Sequence, residues 1–213
     1  MKAAHKKKLR KSQIRVGEAL NEAQLAIDKK AAELLQEAGV LLKMPSLADP
    51  NTILMDATEM QNAHIAQPQV RNMSERIFGG FLMRRAFELA FSAAYMFGGS
   101  LPNFLELDDV SFESPVDVGD LLVFKARVLH TMPEGGNLGR YVEDHDGMPL
   151  IIIEVEAWIA EPTKATARVA NHFYFTFSLP DKSTCKRVLP GTLEQARKMA
   201  TRISAIKERA AMN

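Results

Sequence analysis

Two adjacent glycines stand directly before the most apolar segment of the chain, and their backbone could do chemistry. Gly79 and Gly80 precede a run from Phe81 to Phe97 whose composition predicts a helix. The first N–H groups of a helix have no intrahelical partner, and the helix dipole favours negative charge there. Because glycine permits close approach of a ligand to the backbone, the N–H of Gly80, with that of Phe81, is suited to stabilising a developing oxyanion.

Polar residues that could contribute to a site lie before this segment and within it. Asn72 lies in the polar loop before the glycines, where a turn or capping residue is the ordinary role of an asparagine. Glu88 could act as a base, but its spacing favours an ion pair with Arg84 one helical turn earlier. The basic residues available for an anionic ligand are Arg71, Arg76, Arg84 and Arg85, which solvation at the surface explains equally well.

The sequence gives little support for a metal site, a serine-hydrolase site or a phosphate-binding loop. The five histidines show no metal-ligand spacing, and Asp144-His145-Asp146, which could bind a cation, is more typical of a solvated loop. No Gly-x-Ser-x-Gly and no phosphate-binding glycine pattern occurs. The one cysteine, Cys185, cannot form an internal disulfide, which favours a reducing, intracellular compartment. We therefore expect no metal ion and no cofactor.

The elements that would position these residues follow from periodicity and turn signals. Apolar residues at steps of three and four predict a helix from residue 13 to 38, stopped by Gly39, and a loop over residues 43–52. A last helix over residues 192–210 begins with Thr192 and Gln195 spaced as a capping box. Between them we predict a short strand over residues 58–65 and the central helix over residues 81–97, ended by Gly98 and Gly99. Four longer strands follow, over residues 103–112, 121–131, 149–160 and 167–179.

The central helix decides the architecture. It is apolar almost all round, so other structure must enclose it. A strongly curved antiparallel sheet wrapped around one helix satisfies this order of elements, and that α+β arrangement is the hotdog fold. A ferredoxin-like sheet would need a second helix between the strands, and residues 103–179 show no helical period.

Composition bounds the possible partners. The chain has 213 residues, 46% of them hydrophobic, which suffices for a packed core, and no apolar run approaches the roughly 20 residues of a membrane span. Residues 1–15 carry seven Lys or Arg and no acid, while the net charge of the chain is only +1. This segment lacks the apolar stretch of a secretory signal and the interleaved aromatics of a nucleic-acid arm. A solvated basic segment leading into a helix is the favoured interpretation, and we expect no nucleic-acid partner.

The segment Gln67 to Ala90, the bend Pro115 to Asp120 and the run Asn171 to Phe177 resemble acyl-coenzyme A thioesterases of types 9 and 10. The resemblance covers roughly residues 40–180 and is greatest to the second of the two hotdog domains in those enzymes. It implies a charged helical linker over residues 1–45, a hotdog domain over 46–182 and a C-terminal amphipathic helix over 183–213. It also implies that the chain is the C-terminal part of a longer enzyme, in mitochondria or another organelle.

The resemblance implies hydrolysis of fatty acyl-CoA at a composite site between two hotdog domains. The family asparagine is matched by Asn72, but the position of the family aspartate is occupied by Phe87. The resemblance implies that this domain supplies the Gly80 N–H and Asn72, seven residues before Gly79, which would orient the water or the carbonyl. A second hotdog domain, in the same protein or another subunit of an oligomer, would supply the carboxylate. Coenzyme A, as part of the substrate, would lie along residues named above: Gly79, Phe81, Arg71, Arg76 and Arg84. The alternative is a non-catalytic acyl-CoA-binding or assembly domain.

Overall fold

The computed structural model describes residues 2–73, 76–135, 147–180 and 185–211. In these ranges a curved antiparallel sheet of five strands encloses one helix, and two further helices pack outside it. The hotdog fold predicted from the sequence is confirmed. The elements are α1 (Lys2–Lys43), β1 (Thr52–Leu54), β2 (Met60–Ile65), α2 (Gly79–Gly98), β3 (Asn103–Phe112), β4 (Leu121–Met132), β5 (Leu150–Glu161), β6 (Thr166–Ser178), β7 (Arg187–Leu189) and α3 (Leu193–Ala211).

The five-stranded sheet has the order β2-β4-β5-β6-β3, so β2 and β3 are its edges. All neighbouring pairs are antiparallel, with β4, β5 and β6 paired over nearly their full length. Alternate residues of β4 are fully buried, as expected for a strand with one face against a core. The central strand β5 is buried on both faces from Leu150 to Ala157, because α2 covers one side of the sheet and α3 the other.

Helix α2 lies on the concave face of the sheet. Its core side chains are mostly small, and they allow the helix to approach the strands closely: Leu82, Ala86, Leu89, Ala90, Ala93 and Ala94. The helix ends as predicted at Gly98 and Gly99. Gly99 adopts the left-handed conformation at φ 63°, and its N–H donates to the Tyr95 carbonyl at 2.9 Å.

Helix α1 differs from the prediction at its end. It continues through Gly39 to Lys43, so the predicted stop at Gly39 was wrong. A glycine ends a helix when it takes up the left-handed conformation, and Gly39 is not among the glycines of positive φ. Ala31, Leu34 and Ala38 are buried where α1 packs against the domain, and Asp28 bonds Arg197 of α3 at 2.9 Å.

The predicted loop over residues 43–52 contains more structure than expected. Pro45 to Leu47 form a short 3-10 helix, and β1 begins at Thr52 and pairs in parallel with β7. The pairing was not predicted because both strands are three residues long and lie far apart in sequence. It ties the start of the domain to the segment that leads into α3.

The capping of α3 is confirmed. The Thr192 hydroxyl oxygen accepts the Gln195 N–H at 3.2 Å, and the Gln195 side-chain oxygen accepts the Gly191 N–H at 2.8 Å. Both His64 and His172 are strand residues, as predicted. The Asp144-His145-Asp146 motif lies outside the described residues. Within the described ranges no helix combines the length and apolar character needed to cross a membrane.

Two glycine substitutions test how tightly α2 is enclosed. A Cβ at Gly98 would lie 2.5 Å from a methyl carbon of Leu179, which is fully buried, whereas one at Gly39 would meet nothing within 4 Å. Gly98→Ala should therefore lower the free energy of unfolding by about 1 kcal/mol or more, because the core is overpacked. Urea unfolding followed by circular dichroism measures this.

Gly39→Ala is the matched control and should raise the free energy of unfolding by about 0.5–1 kcal/mol, because alanine restricts the unfolded chain. Equal effects of the two substitutions would contradict the enclosure described here.

Candidate active site

The N-terminus of α2 is fixed by hydrogen bonds from three segments. The Ile77 N–H donates to the Val116 carbonyl at 2.9 Å, and the Phe78 N–H donates to the Val70 carbonyl at 3.0 Å. The N–H of Phe81 is used inside the helix, donating to the Phe78 carbonyl at 2.9 Å. Among the described residues, the N–H groups of Gly79 and Gly80 have no hydrogen-bond partner. These two donors, rather than that of Phe81, are left for a ligand.

Aromatic rings stand over both glycines. The ring of Phe78, which is exposed, occupies the place that a side chain at Gly80 would need. A Cβ at Gly79 would lie 3.0 Å from the Phe112 ring. A side chain at either position would have to displace one of these exposed rings, whereas glycine leaves room for a ligand to approach the backbone. Sequence reasoning named neither Phe78 nor Phe112 as part of the site.

A cavity of about 360 Å³ opens beside Gly79, and Gly80 is not among the described residues that line it. It brings together three of the predicted site residues, Asn72, Arg76 and Gly79, with the bend after β3. The other lining residues are Ile77, Leu82, Phe112, Glu113, Ser114, Pro115 and Val116. The sequence contained a signal for the part of the lining that follows β3, because the bend from Pro115 to Asp120 is one of the segments that carry the family resemblance.

Asn72 has a local structural role as well as a place in the cavity wall. Its side-chain oxygen accepts the Arg76 N–H at 3.1 Å, and its own N–H donates to the Arg76 carbonyl at 2.6 Å. This is the turn role considered for it in the sequence. Asn72 is nevertheless exposed and faces the cavity, so the turn holds its amide group at the mouth of the site.

The basic residues are distributed around the site. Arg71 forms an isolated β-bridge with Ile77, and Arg76 forms one with Asp117 across the cavity wall. Both are exposed, so their side chains are accessible to an anionic ligand. Arg84 is 79% exposed and is bonded to Glu88, further along α2 and away from the cavity lining.

Glu88 is held by two cations. Its carboxylate lies 3.0 Å from Arg84 Nε and 2.8 Å from Arg85 Nη1, so the predicted pair with Arg84 is confirmed. The hydrogen bond from Arg84, with that from Arg85, holds the pKa of Glu88 below its usual value. A low pKa makes a weak base, and Glu88 does not line the cavity. Arg85 also lies over the ring of Phe81, 5.3 Å from its centre, and the half-buried Phe81 packs against the core.

Phe87 belongs to an aromatic cluster between α2 and the sheet. Its ring centre lies 5.2 Å from that of Phe104, 5.8 Å from that of Phe175 and 6.2 Å from that of Phe177. Edge-to-face packing of this kind stabilises the core, and a carboxylate here would lie among apolar rings. The position therefore has a packing role in this chain.

One carboxylate does line the cavity, and sequence reasoning did not select it. Glu113 follows β3, and its side-chain oxygen lies 3.3 Å from Nε2 of His172. His172 is beside Glu154 and Glu156, which are bonded by Lys198 of α3, so this carboxylate turns toward the α3 side of the sheet. Glu113 therefore belongs to the wall of the cavity and to a second polar cluster.

Solved structures share this fold. An acyl-CoA hydrolase from Staphylococcus aureus in complex with butyryl coenzyme A superimposes with a TM-score of 0.62 at 21% identity, over 76% of this chain and 92% of that one. An acyl-CoA hydrolase from Bacillus cereus superimposes with a TM-score of 0.60 at 17% identity, over 76% of this chain and 90% of that one. At such identities these matches establish the hotdog fold and nothing further.

Sequence similarity points to the same class of protein. The chain is 46% identical over 180 residues to acyl-coenzyme A thioesterase 2 of Humulus lupulus, a chloroplastic protein, across 81% of this chain. It is 43% identical over 208 residues, 95% of this chain, to the mitochondrial acyl-coenzyme A thioesterase 4 of that plant. The human mitochondrial acyl-coenzyme A thioesterase 9 is 35% identical over 127 residues, 60% of this chain.

The chain spans 39% and 37% of the lengths of the two plant relatives, and 26% of the human one. No family model matches the sequence. The chain is thus similar to acyl-coenzyme A thioesterases over most of its own length and over a minor part of theirs.

The ionisation of Glu88 separates an ion-paired residue from a poised base. We expect its pKa to lie below 4.5, and to rise toward that value in Arg84→Met, because the hydrogen bond from Arg84 is the main cause of the shift. Carbon-13 NMR of the side-chain carboxyl group over a pH titration measures this. Arg76→Met, which removes a cation that makes no bond with Glu88, should leave the value unchanged. A pKa above 4.5 in the unsubstituted protein would restore Glu88 as a candidate base.

Proposed function

We propose that the chain supplies one half of the active site of an acyl-CoA thioesterase, which hydrolyses fatty acyl-CoA to a free fatty acid and coenzyme A. The observation that carries this proposal is that the N–H groups of Gly79 and Gly80 have no partner among the described residues, and that Gly79 and Asn72 line one cavity. Similarity to plant and mammalian acyl-coenzyme A thioesterases supports the choice of substrate.

In this proposal the thioester carbonyl oxygen accepts hydrogen bonds from the Gly80 N–H, with that of Gly79 beside it. Attack by water places negative charge on that oxygen, and donors already fixed in position stabilise the charge without reorganising. The Asn72 amide orients the attacking water or the carbonyl. The proton of the water passes to a general base, and the coenzyme A thiolate leaves. The reaction needs no cofactor, since coenzyme A is part of the substrate.

The general base comes from outside this domain in our proposal. Among the described residues that line the cavity, Glu113 is the one carboxylate, and its oxygen lies 3.3 Å from His172. Glu88 is held by Arg84 and Arg85, and the family aspartate position is Phe87, packed among aromatic rings. A second hotdog domain, in the same protein or in another subunit, therefore supplies the carboxylate.

The exposed edge of the sheet offers a place for that second domain. Strand β3 is an edge strand, so one row of its backbone groups is available for pairing. Large apolar side chains are exposed on it and on α2 nearby: Phe104, Phe112, Tyr95 and Met96. An exposed apolar surface of this kind is typical of an interface. We propose that the second hotdog domain, or another copy in a homo-oligomer, packs here.

The type of thioesterase and its compartment remain part of the proposal. The similarity to the plant thioesterases 2 and 4 is higher and covers more of this chain than the similarity to type 9 and type 10 enzymes, at 35–36% over about 60% of it. The expectation of the 9/10 type in particular is therefore replaced by the broader group. Because these relatives are named chloroplastic or mitochondrial, we propose an organellar location.

A second candidate function is non-catalytic binding of acyl-CoA. The observation that favours it is Phe87, which leaves this domain without the family carboxylate. Tight binding of acyl-CoA without hydrolysis, even beside a domain that carries the carboxylate, would establish this alternative.

Asn72→Ala tests the composite site. The chain should be weak or inactive alone, because two copies offer two asparagines and no aspartate. Together with a hotdog domain that carries the family aspartate it should hydrolyse acyl-CoA, and Asn72→Ala should reduce kcat by about 100-fold, the usual effect of removing one group that stabilises the transition state. Release of free thiol from short-, medium- and long-chain acyl-CoA is the measurement.

Asn51→Ala, at an exposed turn remote from the cavity, is the matched control and should retain full activity. Strong turnover by the chain alone that is indifferent to Asn72→Ala would disprove the composite site.

A further inference from the structure

Three side chains of the kinds that bind metal ions lie close together on the face of the sheet that α3 covers. Glu156 of β5 is paired directly with His172 of β6, and Glu154 is two residues earlier on the same face of β5. One ligand atom from each of the three lies within 4.8 Å of the others. The two carboxylate side chains are almost fully buried, at 2% and 8% exposure.

The imidazole of His172 is oriented as a metal ligand would be. Its Nδ1 is buried and has no hydrogen-bond partner among the described residues, and it lies 3.9 Å from one oxygen each of Glu154 and Glu156. This separation is too long for a hydrogen bond. It is the separation expected of ligands that share one ion, because metal–ligand bonds of about 2.1 Å place neighbouring ligand atoms about 3–4 Å apart.

The other ring nitrogen of His172 has the partner that metal-bound histidines usually have. Nε2 lies 3.3 Å from the Glu113 carboxylate. A carboxylate on the far side of a ligating imidazole fixes the tautomer, so that Nε2 carries the proton and Nδ1 presents its lone pair. This contact is independent of the glutamate pair.

Acidic side chains cluster around Lys198, whose ammonium group bonds Glu156 and lies 3.4 Å from Glu154. Strand β4 places two further cations opposite the glutamates, but Arg127 is bonded to Glu59 and Lys125 lies over the Trp158 ring. Burial opposes a charged Lys198, but the two glutamates outweigh it and raise its pKa. Arg202 and Arg209 of α3 are bonded to Asp108, and Arg197 is bonded to Asp28.

Lys198 also has room to move. It lines a cavity of about 460 Å³ beside α3, together with Glu194, which is one helical turn earlier. Its flexible stem would let the ammonium group turn outward to Glu194. A bound cation would then replace Lys198 as the countercharge of the two buried glutamates.

We propose that Glu154, Glu156 and His172 form a binding site for one divalent transition-metal ion such as Zn²⁺. The ion takes the position between the two glutamates, and Lys198 turns toward Glu194. Two carboxylates with an imidazole favour Zn²⁺ or Mn²⁺ over Ca²⁺, which prefers oxygen ligands alone. The ligands come from two adjacent strands beneath α3, so the ion would brace the sheet on the side opposite α2.

The chain carries its own reporter for this site. Trp158 is the single tryptophan, and its Nε1–H donates to Glu156 at 3.0 Å. Zn²⁺ added to the EDTA-treated full chain should change the Trp158 fluorescence, and calorimetry should give one ion per chain. The absence of binding at micromolar Zn²⁺ would overturn the proposal and leave Lys198 as the counterion.

A pair of histidine substitutions tests whether His172 binds the Zn²⁺ ion. His172→Gln should weaken Zn²⁺ affinity by at least about tenfold, the lower limit for disturbing a metal site. His145→Gln, in the Asp144-His145-Asp146 motif, is the matched control and should leave the affinity unchanged. Loss of binding in His145→Gln, with retention in His172→Gln, would place the ion elsewhere and contradict the proposal.

Lys198→Met provides a readout that does not depend on fluorescence. Removing the ammonium leaves two buried carboxylates without their countercharge, so its Tm in EDTA should fall below that of the unsubstituted protein. Zn²⁺ should then raise the Tm of Lys198→Met more than that of the unsubstituted protein, because the ion replaces the lost charge. A Zn²⁺-dependent rise no larger than in the unsubstituted protein would contradict the site.

Discussion

Burial of α2 against the concave sheet is the constraint on which the rest of the structure depends. A helix that is apolar almost all round needs cover over most of its surface, and the curved sheet provides this cover only when strands β4, β5 and β6 hold their register. Enclosure places the start of the helix where the loops before and after it meet. There the carbonyls of Val70 and Val116 fix Phe78 and Ile77, and the N–H groups of Gly79 and Gly80 have no partner in the part of the chain that the structure describes.

The opposite face of the sheet is organised by charge. Helix α3 covers it, and the buried glutamates of β5 are bonded by Lys198 rather than replaced by apolar residues. Asp108 is bonded by Arg202 and Arg209 of the same helix. Buried ion pairs add little net stability compared with apolar packing, so their presence favours a role in specificity or ligand binding. Helix α1 then packs on α3 through Asp28 and Arg197, which extends the layer.

The sequence was sufficient for the long elements and for the start of α2. Regular periods and glycine signals located four strands and two helices to within a few residues, because each pattern is local. Gly39 was misleading, since a glycine can remain helical when nothing forces the left-handed conformation. The pairing of β1 with β7 and the meeting of Glu154, Glu156, His172 and Lys198 were not predictable, because strand register and helix docking bring distant residues together. Glu113 was missed for the same reason.

The central claim is that the backbone N–H groups of Gly79 and Gly80 bind the carbonyl of the substrate. It is tested most directly by nitrogen-15 NMR of glycine-labelled chain, paired with a hotdog domain that carries the family aspartate, during titration with a non-hydrolysable acyl-CoA analogue that retains a carbonyl. We expect the Gly79 and Gly80 amide resonances to shift downfield while those of Gly39 and Gly191 do not move. Binding of the analogue with the Gly79 and Gly80 resonances unmoved would contradict it.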